Sequence, residues 1–463
     1  MAINWNEEVQ KRSEDLVSDT CHLLKIKSVL DEEGSTVVAP FGEGINEALQ
    51  FMLDKGKEFG FVTKNVDGYA GHIEFGEGED LIGILGHIDV VPEGDGWSSD
   101  PYRAEIRDGK IFARGAIDDK GPTMAAFYGM KIIKELGLSL SKRVRLIIGA
   151  DEESQWRCVD HYFQKEEMPT MGFAPDADFP IINAEKGICD MELVFSSGVE
   201  EGSLLSFQAG RRFNMVPDLA TAVVKTDNTT EVTRQFSLYL EQNGLKGETK
   251  VVGQEISFKL IGVSAHGMEP NKGKNAGIFL AQFLNTLQLQ GDGAKFVAFI
   301  KEHFYEDSRG RTFGLNFEDE QTGPLTINVG IIEFSDKGGK LGLNLRYPVT
   351  YSFAEGLKSL EAFVDKFGIV IDIKTHAKPH YVKADHPLIQ TLQRVYERQT
   401  GEKATLLSTG GGTYARSLSA GVAFGALFPG RPELAHQKDE YIEVDDLMKA
   451  AAIYAEAIYE LAK

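Results

Sequence analysis

The chain has 463 residues, of which 42% are hydrophobic, 10% aromatic and 26% charged, and its formal net charge is −21. This length predicts about two domains, and the composition excludes disordered, collagenous and coiled-coil proteins. The negative charge argues against nucleic acid and anionic lipid as partners, because binding to either requires clustered Lys and Arg side chains.

The first 190 residues alternate between strand and helix patterns. Residues 81–85 (LIGIL) and 144–148 (VRLII) are short apolar runs rich in β-branched side chains, which are typical of buried strands. Between them, Gly121 and Pro122 introduce a helical pattern over residues 123–134. This alternation predicts an α/β domain.

The middle third of the chain has a different pattern. Residues 255–260 and 341–345 alternate between apolar and polar side chains, as half-exposed strands do. Residues 276–289 have the pattern of a helix. An inserted domain that combines a sheet with helices is therefore expected.

After Tyr381 the α/β pattern returns. It predicts a helix over residues 387–398, a strand over residues 422–428 and a final amphipathic helix from Asp445 to the C-terminus. The predicted fold class is α/β, with a catalytic domain whose central mixed sheet is flanked by helices and an inserted α+β lid domain. The expected segments are 1–186 and 383–463 for the catalytic domain and 187–382 for the lid domain.

Cysteine content and apolar stretches bear on the cellular compartment. The N-terminal segment lacks the basic and apolar regions of an export signal, and no apolar stretch reaches the length of a membrane span. Cys21, Cys158 and Cys189 are too few and too scattered for a disulfide framework. We expect a cytoplasmic protein without nucleic-acid or membrane partners, in which His and carboxylate side chains bind any metal ion.

The first candidate site residues follow the strand predicted over residues 81–85. Open α/β sheets place their sites at such strand ends. His87 and Asp89 lie on one face of an extended segment, so Asp89 could hydrogen-bond the far nitrogen of a metal-bound His87 imidazole. A lone His-x-Asp pattern is more often structural than functional.

Two acidic segments come next along the chain. Asp118 and Asp119 lie in a glycine-flanked turn before a helix, where capping of that helix is the simple alternative. The strand over residues 144–148 leads into Asp151-Glu152-Glu153, which a charged surface loop would also explain. Each segment alone is weak support for a catalytic site.

Two further segments add a carboxylate and an imidazole. Residues 175–180 (PDADFP) contain Asp176 and Asp178, and residues 435–440 (AHQKDE) contain His436. Carboxylates can bridge two divalent cations, and an imidazole on each cation favours zinc over magnesium. Together the segments therefore predict a site for two metal ions.

A two-metal hydrolase also requires one carboxylate that is not a ligand. This group takes a proton from the attacking water and later delivers it to the leaving amine. The neighbouring side chains Glu152 and Glu153 point in different directions, so one can bind metal while the other acts on the proton. Spacing does not choose between these two residues, between Asp118 and Asp119, or between Asp176 and Asp178.

The motifs resemble those of the superfamily of two-zinc aminoacylases, carboxypeptidases and carnosinases, and most closely the PepV-type bacterial dipeptidases. In order they are Gly86-His-x-Asp89, Arg114-Gly-x-x-Asp-x-Lys-Gly121, Asp151-Glu-Glu153, Pro175-Asp176, Gly262-x-x-x-His266-Gly, and His436 near Glu440. The resemblance covers nearly the whole chain.

The resemblance implies a role for each residue of the metal site. Two divalent ions are expected as cofactors, with zinc first and manganese or cobalt as alternatives. Asp89 would orient His87, and Glu152 would be the general acid and base. The implied metal ligands are His87 and Asp176 for one ion, Glu153 and His436 for the other, and Asp118 as the bridge.

The resemblance also gives the inserted domain its role as a lid. His266 would stabilise the oxyanion of the tetrahedral intermediate, although a glycine-flanked loop histidine is otherwise more often a surface residue. In PepV-type enzymes the enlarged insertion supplies this histidine to the site of its own chain. A monomer is therefore expected.

Three groups are expected to bind the substrate. Arg346 suits a two-pronged contact with the carboxylate of a dipeptide, and the backbone N–H groups of Gly410 and Gly411 can assist it. Asn214 is a further polar donor. A flexible loop is the alternative for the glycines, and a phosphate-binding loop is disfavoured because no Gly-Lys-Ser/Thr follows.

The predicted function is an aminopeptidase-type metallo-dipeptidase that hydrolyses unblocked dipeptides. Carnosine and other β-alanyl dipeptides are suggested as substrates by the resemblance alone. One alternative is an amidohydrolase of the same superfamily that acts on N-acyl amino acids or succinyl-diaminopimelate, since the pocket and not the metal site selects the substrate. Another is a protein in which the cations only stabilise the fold.

Overall fold

The computed structural model describes residues 3–196 and 202–463. Within these residues the α-helices are α1 (Trp5–Gln10), α2 (Ser13–Leu24), α3 (Glu43–Glu58), α4 (Lys120–Glu135), α5 (Arg157–Lys165), α6 (Thr229–Asn243), α7 (Ala276–Leu284), α8 (Gly291–Phe304), α9 (Phe353–Val364), α10 (Pro387–Thr400) and α11 (Val444–Ala462). Short 3-10 turns cover Pro270–Lys272, Asp365–Phe367 and Tyr414–Ser417.

The strands of the same residues are β1 (Val62–Val66), β2 (Ala70–Phe75), β3 (Leu81–His87), β4 (Glu105–Arg107), β5 (Lys110–Phe112), β6 (Arg143–Gly149), β7 (Met171–Ala174), β8 (Ala177–Asp178), β9 (Ile181–Glu185), β10 (Gly187–Ser196), β11 (Leu204–Ala209), β12 (Leu219–Lys225), β13 (Lys246–Val252), β14 (Glu255–Ile261), β15 (Glu318–Asp319), β16 (Gly323–Pro324), β17 (Thr326–Ser335), β18 (Gly338–Tyr347), β19 (Ile369–Ala377), β20 (His380–Tyr381), β21 (Leu406–Thr409), β22 (Gly421–Ala423), β23 (Ala426–Leu427) and β24 (Tyr441–Glu443).

Two predicted elements differ from the structure. The helix expected over residues 276–289 ends at Leu284, and beyond it Thr286 donates its hydroxyl to the carbonyl of Phe283. The strand expected over residues 422–428 is divided into β22 and β23, because Gly425 between them adopts a φ of 77°. The other predicted helices and strands fall within observed elements of the same type.

The chain divides into two compact units. The first comprises Met1–Asn183, Tyr381–Ser408 and Thr413–Lys463, and the second comprises Ala184–His380 and Thr409–Gly412. No pattern in the sequence indicated that four residues of the glycine-rich loop belong with the second unit. The domain boundaries expected from the sequence stay a prediction.

The first unit is built around a mixed sheet. Its strands follow the order β1-β2-β6-β3-β7-β22-β9, in which β3 pairs in parallel with β6 and β7 while β2 and β6 are antiparallel. Every residue of β3 is buried, as expected for strands covered on both faces. Helices α3, α4, α5 and α11 contact the sheet. The predicted α/β class with a central mixed sheet flanked by helices is confirmed.

The second unit contains an antiparallel sheet in the order β13-β14-β12-β11-β17-β18-β10-β19. Alternate side chains of β18, namely Leu343, Leu345 and Tyr347, belong to its apolar core. The intervening side chains Asn344 and Arg346 therefore lie on the opposite face of the sheet. In the register with β17, Asn328 lies across from Asn344 and Thr326 across from Arg346.

In the described part of the chain, no helix combines enough length with enough apolar character to cross a membrane.

Candidate active site

The topology of the first unit brings several predicted site residues to one sheet edge. Strands β6, β3 and β7 are parallel neighbours, so their carboxyl ends lie side by side. His87 is the last residue of β3, Glu152 follows β6, and Asp176 follows β7. Acids that are far apart in the sequence therefore come together.

Asp118 lies between two imidazoles. Its Oδ1 is 3.1 Å from Nε2 of His87, and its Oδ2 is 3.1 Å from Nε2 of His436. Nε2 of His436 is also 2.9 Å from Oε2 of Glu153, and Nε2 of His87 is 3.7 Å from Oδ2 of Asp176. All five predicted metal ligands therefore lie in one cluster of the first unit.

Two triplets in this cluster are suited to a metal ion. The ligand atoms of His87, Glu152 and Asp176 lie within 4.8 Å of one another, and so do those of His87, Asp118 and Glu153. His436 adopts a φ of 63°, a backbone conformation that few non-glycine residues adopt and that often occurs at functional sites. The mixture of imidazole and carboxylate donors fits divalent zinc, and also manganese or cobalt.

Asp89 makes contacts that differ from the sequence expectation. Nδ1 of His87 lies 3.0 Å from the backbone oxygen of Asp89, and 3.4 Å from the nearer carboxylate oxygen. The two carboxylate oxygens instead accept the backbone N–H groups of Glu152 and Glu153, at 3.1 and 3.0 Å. Asp89 therefore orients His87 mainly through its carbonyl group and fixes the segment that carries both glutamates.

Asp119 has a structural role beside the cluster. It is the N-cap residue of α4, but its side chain makes no capping bond to the helix backbone. Its Oδ2 accepts the N–H of His87 at 3.1 Å and the hydroxyl of Thr123 at 2.8 Å. A Cβ atom at Gly86 would lie 2.0 Å from Oγ1 of Thr123, so the glycine of the first motif makes room for this contact.

Glu440 is a buried residue to which the sequence assigned no role. Its carboxylate accepts a hydrogen bond from Nη1 of Arg114 at 2.7 Å. It also accepts hydrogen bonds from the backbone N–H groups of Gly115, Ile117 and Asp118, at 3.0, 2.9 and 3.3 Å. It therefore fixes the turn that presents the Asp118 carboxylate. The sequence signals were Arg114 at the start of the second motif and Glu440 itself beside His436 in the last motif.

Tyr414 is a second residue that the sequence analysis missed. Its ring packs edge-on against the His87 imidazole, with the ring centroids 6.0 Å apart, and its hydroxyl lies 3.0 Å from Sγ of Cys158. A Cβ atom at Gly149 would lie 1.8 Å from the hydroxyl oxygen. Gly149 at the end of β6 is therefore required for Tyr414 to reach His87.

Burial and mutual repulsion shift the pKa values of the clustered acids. Burial is the main cause that raises the pKa of Glu152 well above its ordinary range, and it raises the pKa of Asp176 to about 6. Asp118 behaves differently, because its contacts with His436 and His87 outweigh burial and lower its pKa. Hydrogen bonds that the His436 imidazole donates to the carboxylates of Asp118 and Glu153 raise the pKa of His436 to about 10. Positive charge is thus strongly favoured within the cluster, which fits a site for divalent cations.

The second unit brings His266 and Asn214 together. The backbone N–H of Gly267 donates to the Asn214 carbonyl at 2.7 Å, and Nδ1 of His266 accepts the N–H of Met268 at 3.1 Å. The latter bond leaves the proton of a neutral imidazole on Nε2. The sequence predicted a donor at this position.

Arg346 and the glycine-rich loop are also neighbours in this unit. Nη1 of Arg346 donates to the Gly410 carbonyl at 3.1 Å, and its Nε donates to Oδ1 of Asn344 at 2.8 Å. The N–H of Gly411, which we expected to face a substrate carboxylate, donates to Oγ1 of Thr409 at 3.0 Å. A Cβ atom at Gly410 would lie 3.1 Å from Cβ of Met268, so the loop is close to the segment that carries His266.

A model of the family described as "Peptidase family M20/M25/M40" matches residues 83–460, which is more than half of the chain. The chain belongs to this family. The match spans the segments that carry all five predicted metal ligands. The predicted resemblance is therefore confirmed, and so is the prediction of an enzyme that hydrolyses peptide bonds.

Individual proteins are also similar to the chain. A Bacillus subtilis protein named "Putative dipeptidase YtjP" is 55% identical over 466 residues, which cover 100% of both chains. A Staphylococcus epidermidis protein named "Putative dipeptidase" is 44% identical over 464 residues and 99% of both chains. The crystal structure of human carnosine dipeptidase 1 has a TM-score of 0.57 at 14% identity, over 99% of this chain and 98% of that one. At that identity the likeness shows the fold alone.

Proposed function

We propose that the protein is a metal-dependent dipeptidase that hydrolyses the peptide bond of unblocked dipeptides with the help of two divalent cations. The observation that carries the proposal is the position of Asp118, which has one carboxylate oxygen next to each of two imidazoles. The bacterial relatives named as dipeptidases support the substrate class. The structural relative named as a carnosine dipeptidase makes β-alanyl dipeptides worth testing.

The proposal divides the clustered ligands between the two cations. His87 and Asp176 would hold one, Glu153 and His436 the other, and Asp118 would be shared. Zinc is the first choice, with manganese or cobalt as alternatives. When bound, the cations would supply Lewis acidity to the scissile carbonyl and a water that is acidic enough to serve as nucleophile near neutral pH.

Glu152 is proposed as the general base and acid. Its buried carboxyl group has a raised pKa, which suits a residue that must both accept and return a proton near neutrality. Asp89 holds the backbone N–H of Glu152 and thereby restricts the position of its side chain. Glu152 would take the proton of the nucleophile and deliver it to the leaving amine.

The second unit is proposed to supply the contacts to the rest of the substrate. His266 would donate a hydrogen bond to the carbonyl oxygen as negative charge develops on it. Arg346 and the loop with Gly410 and Gly411 would bind the carboxylate, and Asn214 would be an additional donor. A lid function for this unit, a monomeric state and a cytoplasmic location are further parts of the proposal.

Hydrolysis of a small substrate panel tests the proposal. Chelated protein is assayed with Leu-Gly, β-Ala-His, a tripeptide, N-acetyl-Met and N-succinyl-diaminopimelate, before and after addition of Zn²⁺ or Mn²⁺. We expect metal-dependent cleavage that is confined to dipeptides. Cleavage of the acylated compounds alone would identify an amidohydrolase, and no cleavage with any metal would contradict the catalytic assignment.

A further inference from the structure

Lys186 directly precedes β10, and Arg346 lies on β18, the strand that pairs with β10 in the second unit. Ile188 pairs with Arg346 in the register of β10 and β18, and Lys186 precedes Ile188 by two positions. Both residues also contact the glycine-rich loop. The N–H of Lys186 donates to the Thr409 carbonyl at 3.1 Å, and Nη1 of Arg346 donates to the Gly410 carbonyl at 3.1 Å.

Arg309 is a third cationic residue in the same region. Nζ of Lys186 donates to the Pro324 carbonyl at 2.5 Å, and Nη1 of Arg309 donates to the carbonyl of the next residue, Leu325, at 3.2 Å. Only 7% of the Lys186 surface is exposed. The two side chains thus donate to the carbonyls of adjacent residues, and the charge of Arg309 acts on Lys186.

Among the residues that the structure describes, neither Lys186 nor Arg309 has an acidic partner. Within residues 3–196 and 202–463, no carboxylate oxygen lies within 4.0 Å of the charged nitrogens of either side chain. Asp319 is nearby, but its carboxylate accepts hydrogen bonds from Thr322 and Thr350. Burial, and after it the positive charge of Arg309, lowers the pKa of Lys186 to about 8.

A buried cation such as Lys186 is costly without an acidic partner, because it loses hydration and is repelled by the half-buried Arg309 nearby. Such a cluster is unexpected in a chain with a net charge of −21, where carboxylates outnumber cations. An anionic ligand would remove the penalty. A substrate carboxylate bound to Arg346 would leave the charges of Lys186 and Arg309 without an anion.

We propose that Lys186 and Arg309 form a subsite for a second carboxylate, namely the side chain of a C-terminal Asp or Glu residue of the substrate. This inference rests on the proposed dipeptidase function, in which Arg346 binds the α-carboxylate. The enzyme then prefers dipeptides with an acidic C-terminal residue over uncharged dipeptides of the same shape.

The test compares Ala-Glu with Ala-Gln, which differ by a charge at nearly constant shape. With the full-length, metal-loaded enzyme, kcat/KM is expected to be at least about tenfold higher for Ala-Glu, as a charge-assisted hydrogen bond would give. In Lys186→Gln and in Arg309→Gln the ratio falls toward about one, whereas Lys186→Arg keeps most of the preference. Lys259→Gln, which removes an exposed lysine paired with Glu248, leaves the ratio unchanged.

Two outcomes overturn the proposal. One is a parent enzyme that cleaves both dipeptides equally well. The other is an equal loss of kcat/KM for both dipeptides in the Lys186 and Arg309 variants, because the two side chains would then serve the α-carboxylate that every dipeptide carries. If Lys186→Gln does not fold, Arg309→Gln and Lys186→Arg decide between these outcomes.

Calorimetry separates this proposal from the dipeptidase assignment. Binding of free L-glutamate and of L-glutamine is measured with the zinc-loaded parent and with Arg309→Gln. If the parent hydrolyses no dipeptide but binds glutamate more tightly, and Arg309→Gln removes that difference, the proposed function fails while the anion subsite stands. Equal binding of the two amino acids by the parent contradicts the subsite.

Discussion

Arg114 and Glu440 form an ion pair in which both side chains are almost completely buried, with Nη1 of Arg114 2.7 Å from Oε2 of Glu440. The other oxygen of Glu440 accepts the N–H groups of Ile117 and Asp118. A single carboxylate thus neutralises a buried guanidinium and fixes the turn that carries Asp118, the proposed shared metal ligand. Loss of its charge should affect stability and metal binding together.

We expect Glu440→Gln to lower the free energy of unfolding by about 3–5 kcal/mol, because the variant leaves the buried guanidinium of Arg114 unpaired. Affinity for zinc should also fall. Urea denaturation and zinc titration measure the two effects. The control is Glu443→Gln, which breaks the half-exposed pair with Arg431 and should cost about 1 kcal/mol or less. An unchanged urea midpoint for Glu440→Gln would show that the buried pair does not stabilise the fold.

Glu152→Gln should keep its metal and lose its turnover. The amide has nearly the shape of the carboxyl group but cannot accept the proton, so kcat should fall by about 10²–10⁴-fold. Metal content is measured by elemental analysis of the dialysed protein, and kcat with the best dipeptide of the panel. Glu153→Gln is the matched control and should lose bound metal. Turnover near that of the parent in Glu152→Gln would refute the proposed role.

His72 should make stability depend on pH. Its Nδ1 lies 2.8 Å from the Tyr162 hydroxyl, which also accepts a hydrogen bond from Nη1 of Arg145. Burial is the main cause that lowers the pKa of His72 to about 4, and the charge of Arg145 adds to it. The folded state therefore favours the neutral ring.

The stability linked to His72 is fully present above pH 6.5 and is lost as the pH falls through about 4. The loss amounts to about 3 kcal/mol between these limits. Urea denaturation at several pH values should show a shallower pH dependence for His72→Gln than for the parent protein. His22→Gln, at an exposed position of α2, should retain the parent's dependence. Parallel curves for His72→Gln and the parent would exclude this linkage.

Asn328 should act through Asn214. Its Nδ2 donates to the carbonyls of Phe213 and Met215, at 2.7 and 2.9 Å, and so fixes the backbone on both sides of Asn214. Asn328→Ala leaves two partly buried carbonyls without this donor and should cost about 1–2 kcal/mol of stability. It should also lower kcat/KM.

A double-mutant cycle tests this positioning role. If Asn328 acts only by fixing Asn214, the losses in kcat/KM from Asn328→Ala and Asn214→Ala should not add. Asn243→Ala also removes an amide that donates to a backbone carbonyl in the second unit, and it should leave kcat/KM unchanged. Fully additive losses would indicate that the two asparagines act independently.

The sequence could predict the fold class and the gathering of the candidate metal ligands for one physical reason. Apolar β-branched runs predicted β3 and β6, and the acids that follow parallel strands must meet at one edge of the sheet. His87, Glu152 and Asp176 are therefore found together. Local pattern and topology were sufficient to bring these segments together, whereas the choice of Glu152 over Glu153 and of Asp176 over Asp178 depended on the resemblance.

Other contacts depend on tertiary packing that no local pattern encodes. Arg114 and Glu440 lie 326 positions apart in the chain, and Cys158 and Tyr414 lie 256 positions apart. The preference of the Asp89 carboxylate for backbone N–H groups over the His87 imidazole depends on the path of the loop after β6. The alternation of apolar residues and the spacing of motifs do not specify which of these groups the carboxylate contacts.

The assignment of Thr409–Gly412 to the second unit has a consequence for chain connectivity. The unit is made of two separate stretches of sequence, and the short stretch supplies the carbonyls that receive the Lys186 N–H and the Arg346 guanidinium. Excision of Ala184–His380 as a single fragment would remove both residues from these partners. A separately expressed second unit therefore needs a linker that joins Thr409–Gly412 covalently to Ala184–His380.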